Sequence, residues 1–168
     1  HAHLDHIGRI CKFVKDGFNG TIFSTLETRE IANMMLLDAL KVMTMKEKEV
    51  IDGHHQRPLY DSKDLDKTMS LWKTIPYHTK TKINDEFEVL LKDAGHILGS
   101  SMYEFEYSGE EGGKVKKIVF TGDSGNSPAP LLKDTESITD ADYLIVDSVY
   151  GDTNHESKDE RDKRFKKV

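Results

Sequence analysis

The spacing of apolar residues changes once along this 168-residue chain, near Thr74, and that change limits the fold more than any other feature. Before it, the repeats are helical. Ile7, Ile10, Cys11 and Val14 recur at helical spacing, with Gly17 placed to close the helix as a C-cap, and Thr21-Ile22-Phe23 reads as a short strand. Ser24-Thr25-Leu26-Glu27 fits the S-x-x-E capping box, with Ser24 as N-cap and Glu27 reaching back to it. It opens a long helix whose apolar surface is expected from Ile31, Met34, Met35, Leu37 and Leu40; Asp38 breaks the strict spacing, so burial over a broad face is expected, with the methionine pair in the core. The charged stretch from Met43 to Arg57 reads as a helix end and loop, and Pro58 with Asp61-Ser62 introduces a helix running to about Trp72.

Beyond Thr74 the period is two. Phe87, Val89 and Leu91 alternate with other residues, as do Tyr103, Phe105 and Tyr107 with the glutamates between them. Ser108 to Gly113 reads as a Gly/Glu hairpin turn, Val115 to Thr121 as the returning strand and Tyr143 to Val146 as a buried-type strand; Ser157 caps a mixed-charge terminal helix. With no internal repeat and no low-complexity linker, the chain is predicted to be α/β in content, of the α+β kind, and to fit one domain.

The chemistry is concentrated at the start. His1-Ala2-His3-Leu4-Asp5-His6 places three histidines and an aspartate in six residues, and imidazole with carboxylate is the donor set of borderline divalent metals. A purification tag would be a homopolymer run and would not lead into an amphipathic helix. Two further polar sites follow strands. Asp93-Ala94-Gly95-His96-Ile97-Leu98-Gly99-Ser100 sets a histidine between glycines, where the backbone can bend to aim it inward, and Phe120-Thr121-Gly122-Asp123-Ser124-Gly125-Asn126 does the same for an aspartate. Either site alone is weak, because an aspartate after a strand is commonly a turn residue and a lone histidine commonly lies at the surface. Together with the opening motif they supply His1, His3, Asp5, His6, His96 and Asp123. That is too many ligands for one tetrahedral zinc, and it suits two metals sharing a carboxylate. His54 and His55 read as surface residues, since adjacent side chains point apart.

Composition narrows the function classes. A formal charge of −6 argues against a general electrostatic grip on nucleic acid, although residues 1–58 are balanced and bound metal would change the local sign. One cysteine excludes an internal disulfide and agrees with a reducing, cytoplasmic setting; Cys11 itself reads as a small apolar core residue. No apolar run is long enough to cross a bilayer, so no membrane partner is expected. No signal-peptide pattern is seen, and a start without Met inside a metal motif reads as a truncated chain.

His1-Ala2-His3-Leu4-Asp5-His6 resembles the HxHxDH motif of the metallo-β-lactamase superfamily, and the blocks around His96 and Thr121-Gly122-Asp123 resemble its third and fourth motifs. Asp147-Ser148-Val149-Tyr150-Gly151-Asp152 followed by His155-Glu156 resembles the start of the β-CASP branch, which contains RNA-processing nucleases and DNA crosslink-repair nucleases. The resemblance implies a partial αββα sandwich with metals at the sheet edge, in which residues 1–146 form an incomplete lactamase core and 147–168 begin the β-CASP region. The first strands, the β-CASP insertion, its later histidine motifs and the end of the core are missing. It also implies two zinc ions, the first held by His1, His3 and His96, the second by Asp5 and His6, with Asp123 bridging. Asp5, Asp123 and Asp147 are the implied catalytic residues: Asp5 orients the attacking hydroxide, and Asp147 supports the site or merely forms a strand-end turn.

The activity implied is zinc-dependent phosphodiester hydrolysis, on single-stranded RNA first and DNA second, by a longer parent. Without the later histidines the chain alone is expected to be inactive. The competing readings are a non-catalytic zinc-binding scaffold subunit of an RNA-processing complex, a DNA-repair nuclease, and another hydrolase of this fold. The intact ligand set disfavours the scaffold, and the Asp147 block favours nucleic acid over small substrates.

Overall fold

The computed structural model describes residues 1–46, 50–51, 54–55, 57–109, 114–126, 128–153 and 156–167. Its first half is built on helices. Two short ones, α1 (Leu4–Ile7) and α2 (Ile10–Lys15), stand where the spacing predicts a single helix; they part at Gly8, where a Cβ would lie 2.5 Å from the Leu4 carbonyl oxygen. Gly17 closes α2 from just beyond its C-cap, Asp16, with φ of 117° and its N–H on Val14 O at 3.1 Å. A strand, β1 (Ile22–Ser24), and a long helix, α3 (Leu26–Lys46), follow.

The cap of α3 is one residue later than predicted. Ser24 is still in β1 and faces inward, accepting the Trp72 indole N–H at 2.8 Å, so Thr25 becomes the N-cap and its Oγ1 accepts the Thr28 N–H at 3.2 Å. The third helical position is therefore Thr28 rather than Glu27. Burial on α3 is broad, as expected, with Thr28, Ala32 and Leu36 innermost and Ile31, Met35 and Leu40 beside them. Met34 and Leu37 are exposed, which corrects the expected apolar face: a helix covered along one side must leave its opposite stripe in solvent.

A short antiparallel pair, β2 (Val50–Ile51) with β3 (His54–His55), occupies part of the stretch that reads as loop; the His54 and His55 side chains lie outside the described residues, so their surface assignment is untouched. Helix α4 (Ser62–Ser70) starts at a reciprocal cap, Asp61 accepting the Asp64 N–H at 3.0 Å and Asp64 accepting the Asp61 N–H at 3.0 Å. Trp72 belongs to the next strand, β4 (Trp72–Thr74), rather than to the helix, and β4 pairs in parallel with β1. These elements close over a core of Ile7, Cys11, Leu36, Tyr60, Leu65 and Trp72.

The second half is one mixed five-stranded sheet. Its order is β5 (Thr81–Lys82), β6 (Phe87–Asp93), β7 (Ser101–Tyr107), β8 (Lys116–Phe120) and β9 (Tyr143–Ile145), antiparallel except for the parallel pair β8–β9. Registers Val89↔Phe105↔Ile118 and Leu91↔Tyr103↔Phe120 put the predicted alternating residues on one face. There Val89 and Leu91 join Ile75, Phe23 and Tyr77 in a second core. The predicted buried-type strand at β9 is exposed instead, because it forms the edge of the sheet. Residues 110–113 of the expected hairpin turn lie outside the described residues, but the β7–β8 register closes at Tyr107↔Lys116. Ser157 caps the last helix, α5 (Lys158–Phe165), as expected, its Oγ accepting the Glu160 N–H at 3.3 Å.

The halves are tied where β1 meets the sheet. Ser24 O accepts the Ile75 N–H at 2.8 Å, and Phe23 O accepts the Tyr103 hydroxyl at 3.0 Å. That junction lies beside the ends of β6 and β8, where the two downstream polar sites sit.

Candidate metal centre

Residues 1–3 are extended into the α1 N-cap, so their side chains alternate: Ala2 is buried in the helical core while His1 and His3 face the other way. His3 is the N-cap by backbone alone, its O taking the N–H groups of His6 and Ile7, and that leaves its imidazole free for the site. The single turn of α1 returns Ile7 to the core and presents Asp5 and His6 outward. His96 follows β6 in a loop bounded by Gly95 (φ 64°) and Gly99 (φ 82°), and Asp123 follows β8 and Gly122 (φ 54°); these positive values favour glycine.

All six predicted ligands meet in one place. His1 Nε2 lies 3.0 Å from His3 Nδ1, and His96 Nε2 lies 3.2 Å from the same atom. Asp123 Oδ2 is 3.6 Å from both His1 Nε2 and His96 Nε2, while Asp123 Oδ1 is 3.3 Å from His6 Nε2. Asp5 Oδ2 stands 3.6 Å from His6 Nε2. The donors thus fall into two groups, His1/His3/His96/Asp123 and Asp5/His6/Asp123, and Asp123 turns one oxygen to each.

These spacings can be tested against a metal. A zinc ion with ligands at about 2.0–2.1 Å in tetrahedral array holds its donors roughly 3.3 Å apart. The first group brackets that value and supplies four donors of the right kind. The second supplies three and leaves a position open. The residues fit a pair of divalent ions sharing a carboxylate.

Electrostatics agree with that fit. Burial pushes the His96 imidazole below its usual range; Asp123 pulls it back up, and His3 and His6 push it down again. The neutral form, which is the ligating one, is therefore favoured. The groups open into a cleft of about 700 Å³ lined by His1, Asp5, His6, Asp123 and Asp147 and walled by Tyr103, Phe120 and Tyr150. Burial pushes the Tyr103 phenol up to about 12, and its hydroxyl bonds backbone, so it offers a ring rather than an acid.

Asp147 lines this cleft but belongs to neither donor group. Its Oδ1 accepts the Val149 N–H at 3.2 Å, which is the turn-forming role, and its own N–H bonds Thr121 Oγ1 at 3.3 Å beside Asp123. His155 lies outside the described residues.

Sequence reasoning missed the residues that hold the two ligand loops together. Gly125 N–H donates to Ala94 O at 2.8 Å, and Thr135 Oγ1 donates to Ala94 O at 2.9 Å. The loops lie back to back, so closely that a Cβ on Gly125 would fall 1.7 Å from Gly95 O. The only local signal is glycine at both places; nothing in the sequence around Thr135 marks it.

No family model matches the chain. Individual proteins do. It is 34% identical over 167 residues to cleavage and polyadenylation specificity factor subunit 3 of Dictyostelium discoideum, a match covering 98% of this chain and 20% of that protein. It is 34% identical to RNase aCSPSF2 of Saccharolobus solfataricus, covering 98% of this chain and 30% of that one. To transcription termination factor FttA of Cenarchaeum symbiosum it is 33% identical over 152 residues, 90% of this chain and 22% of the other. The chain thus spans between a fifth and a third of the length of these curated relatives.

Proposed function

We propose that this chain belongs to the family of RNA-processing nucleases of the metallo-β-lactamase superfamily and is the metal-binding part of a β-CASP ribonuclease that uses two zinc ions to hydrolyse single-stranded RNA. The observation that carries the reading is Asp123, whose two oxygens face different donor groups. His1, His3 and His96 would hold one ion, Asp5 and His6 the other, and Asp123 both. When bound, the ions supply positive charge for the phosphoryl oxygens and lower the pKa of an attacking water to about 7.

The chain's own residues do the rest. The Asp5 side chain is 76% exposed and stands where it can orient a water arriving at the second group. Asp5, Asp123 and Asp147 alone would repel a phosphodiester, so substrate binding at this cleft needs the cations that the two donor groups would collect. Tyr150 and Phe120 offer flat faces on which bases can stack, a mode that suits single strands. The β1–β4 pair and the five-stranded sheet, with helices packed beside the former, are read as a partial αββα sandwich over residues 1–146, with 147–168 leading into the β-CASP region.

The test is zinc content and strand cleavage in the full-length protein, with and without Asp123→Ala. The expected result is two zinc ions and RNA cutting in the parent, and loss of both in the variant. The 168-residue chain should bind zinc and cut nothing. A parent that holds full zinc yet cuts neither RNA nor DNA would make the chain part of a scaffold. Cutting of DNA alone would keep the chemistry and overturn the substrate.

A further inference from the structure

The carbonyl oxygen of Gly99, three residues after His96, is gripped from a distant part of the chain. Thr25 Oγ1 and Thr28 Oγ1 each donate to it at 2.8 Å, across 74 and 71 residues of sequence, and Ser101 Oγ stands at 3.1 Å. Both threonines and Gly99 are buried. The approach leaves no slack: a Cβ on Gly99 would lie 2.6 Å from Thr28 N and 2.8 Å from Thr25 Oγ1. A buried carbonyl needs one partner to avoid the cost of desolvation, and here two short bonds fill both of its lone pairs.

The grip is passed on to His96. Next to Gly99, Ser100 is fully buried, and its Oγ accepts the N–H groups of His96 at 3.0 Å and Ile97 at 3.2 Å. Ser100 N–H closes the loop on Ile97 O at 2.9 Å, and Ser100 O takes the Ala94 N–H at 3.1 Å and the Tyr77 hydroxyl at 2.8 Å. Residues 94–100 are thus a closed loop held from outside by Gly125 with Thr135 at one end, and by Tyr77 and the first turn of α3 at the other. The second anchor matters for geometry. His1 to His6 ride on the helical half and His96 with Asp123 on the sheet half, so donor spacings near 3 Å require the halves to be registered to a fraction of that distance.

We propose that Thr25 and Thr28 are positioning residues of the metal centre, which set His96 against His1 and His3 through the Gly99 carbonyl. The proposal rests on the metal reading above and adds to it the device that brings the two ligand-bearing halves into register.

The experiment uses the 168-residue chain and compares Thr25→Val, Thr28→Val and the double variant with Thr25→Ser and Thr28→Ser, measuring zinc affinity by chelator competition and the melting temperature without metal. Ser24→Ala is the control, because Ser24 is buried at the same helix end but bonds Trp72 and Thr25 O instead of Gly99. The valine variants should lose about 10–100-fold in zinc affinity, the range for removing a group that orients a ligand. The serine variants should restore most of it, and Ser24→Ala should lower the melting temperature with zinc affinity unchanged. In a His96→Ala background the valine effect on zinc should vanish, since the coupling runs through that side chain. Wild-type zinc affinity in the double valine variant overturns the proposal, as does an equal loss with Ser24→Ala. Negligible zinc in the wild-type chain overturns the metal reading and this proposal with it.

Discussion

Gly125→Ala should separate the two ligand loops, and the structure sets the scale. The new Cβ would start 1.7 Å from Gly95 O, 2.2 Å from Gly95 C and 2.9 Å from His96 N, all backbone atoms that cannot swing aside. Carbon–oxygen contacts settle at about 3.3 Å or more, so the loops must part by roughly 1.5 Å. Half of that movement would carry the 3.6 Å separation of His96 Nε2 and Asp123 Oδ2 well beyond a shared ion's reach. Overpacking of this kind costs about 1–3 kcal/mol, and in a chain of this length each kcal/mol lowers the melting temperature by about 2–4 °C. The expected result is a melting temperature down by roughly 2–12 °C and zinc affinity down by about 10–100-fold. Gly17→Ala is the matched control: its φ of 117° strains a side chain by about 1–3 kcal/mol, but no atom lies within 4 Å and it is remote from the ligands. Thermal melts and chelator competition on both variants decide the matter. Gly125→Ala with wild-type zinc affinity, or Gly17→Ala with an equal loss, would refute the reasoning.

Two further outcomes follow from named contacts. Asp147→Ala should leave zinc content unchanged, since Asp147 binds a turn N–H and belongs to neither donor group, while reducing RNA cutting in the full-length protein; zinc loss would move it into the ligand set. The Asp64 N–H above all, with the Lys63 N–H and the charges of Lys15 and Lys63, holds the Asp61 carboxyl below its usual range. The stability it contributes is therefore fully present above the ordinary carboxylate pKa of about 3.9 and is lost as pH falls through the lowered folded value. Asp61→Asn, which keeps a capping oxygen without the charge, should flatten the acid limb of a melting-temperature profile. An unchanged slope would remove Asp61 from the acid response.

The sequence by itself marked the candidate metal donors and most of the elements. His1-Ala2-His3 is legible because alternation in an extended segment is local, and a buried alanine between two histidines leaves both on one side. The strands were legible for the same reason, since the period of two at Phe87–Leu91 and Tyr103–Tyr107 needs no knowledge of what packs above it. Where neighbours decided, the reading slipped. Ser24 looks like a better N-cap than Thr25 until Trp72 claims its hydroxyl, and Tyr143–Ile145 looks buried until its place at the sheet edge leaves it open. The distance relations of the site also belong to tertiary structure alone. Nothing near Thr25, Thr28 or Thr135 in the sequence marks it as a partner of Gly99 or Ala94, because a hydroxyl's target across 41 to 74 residues depends on how the chain packs in three dimensions. The residue types that can bind metal are written in the chain; the spacing near 3 Å that makes them one centre exists only once that docking has occurred.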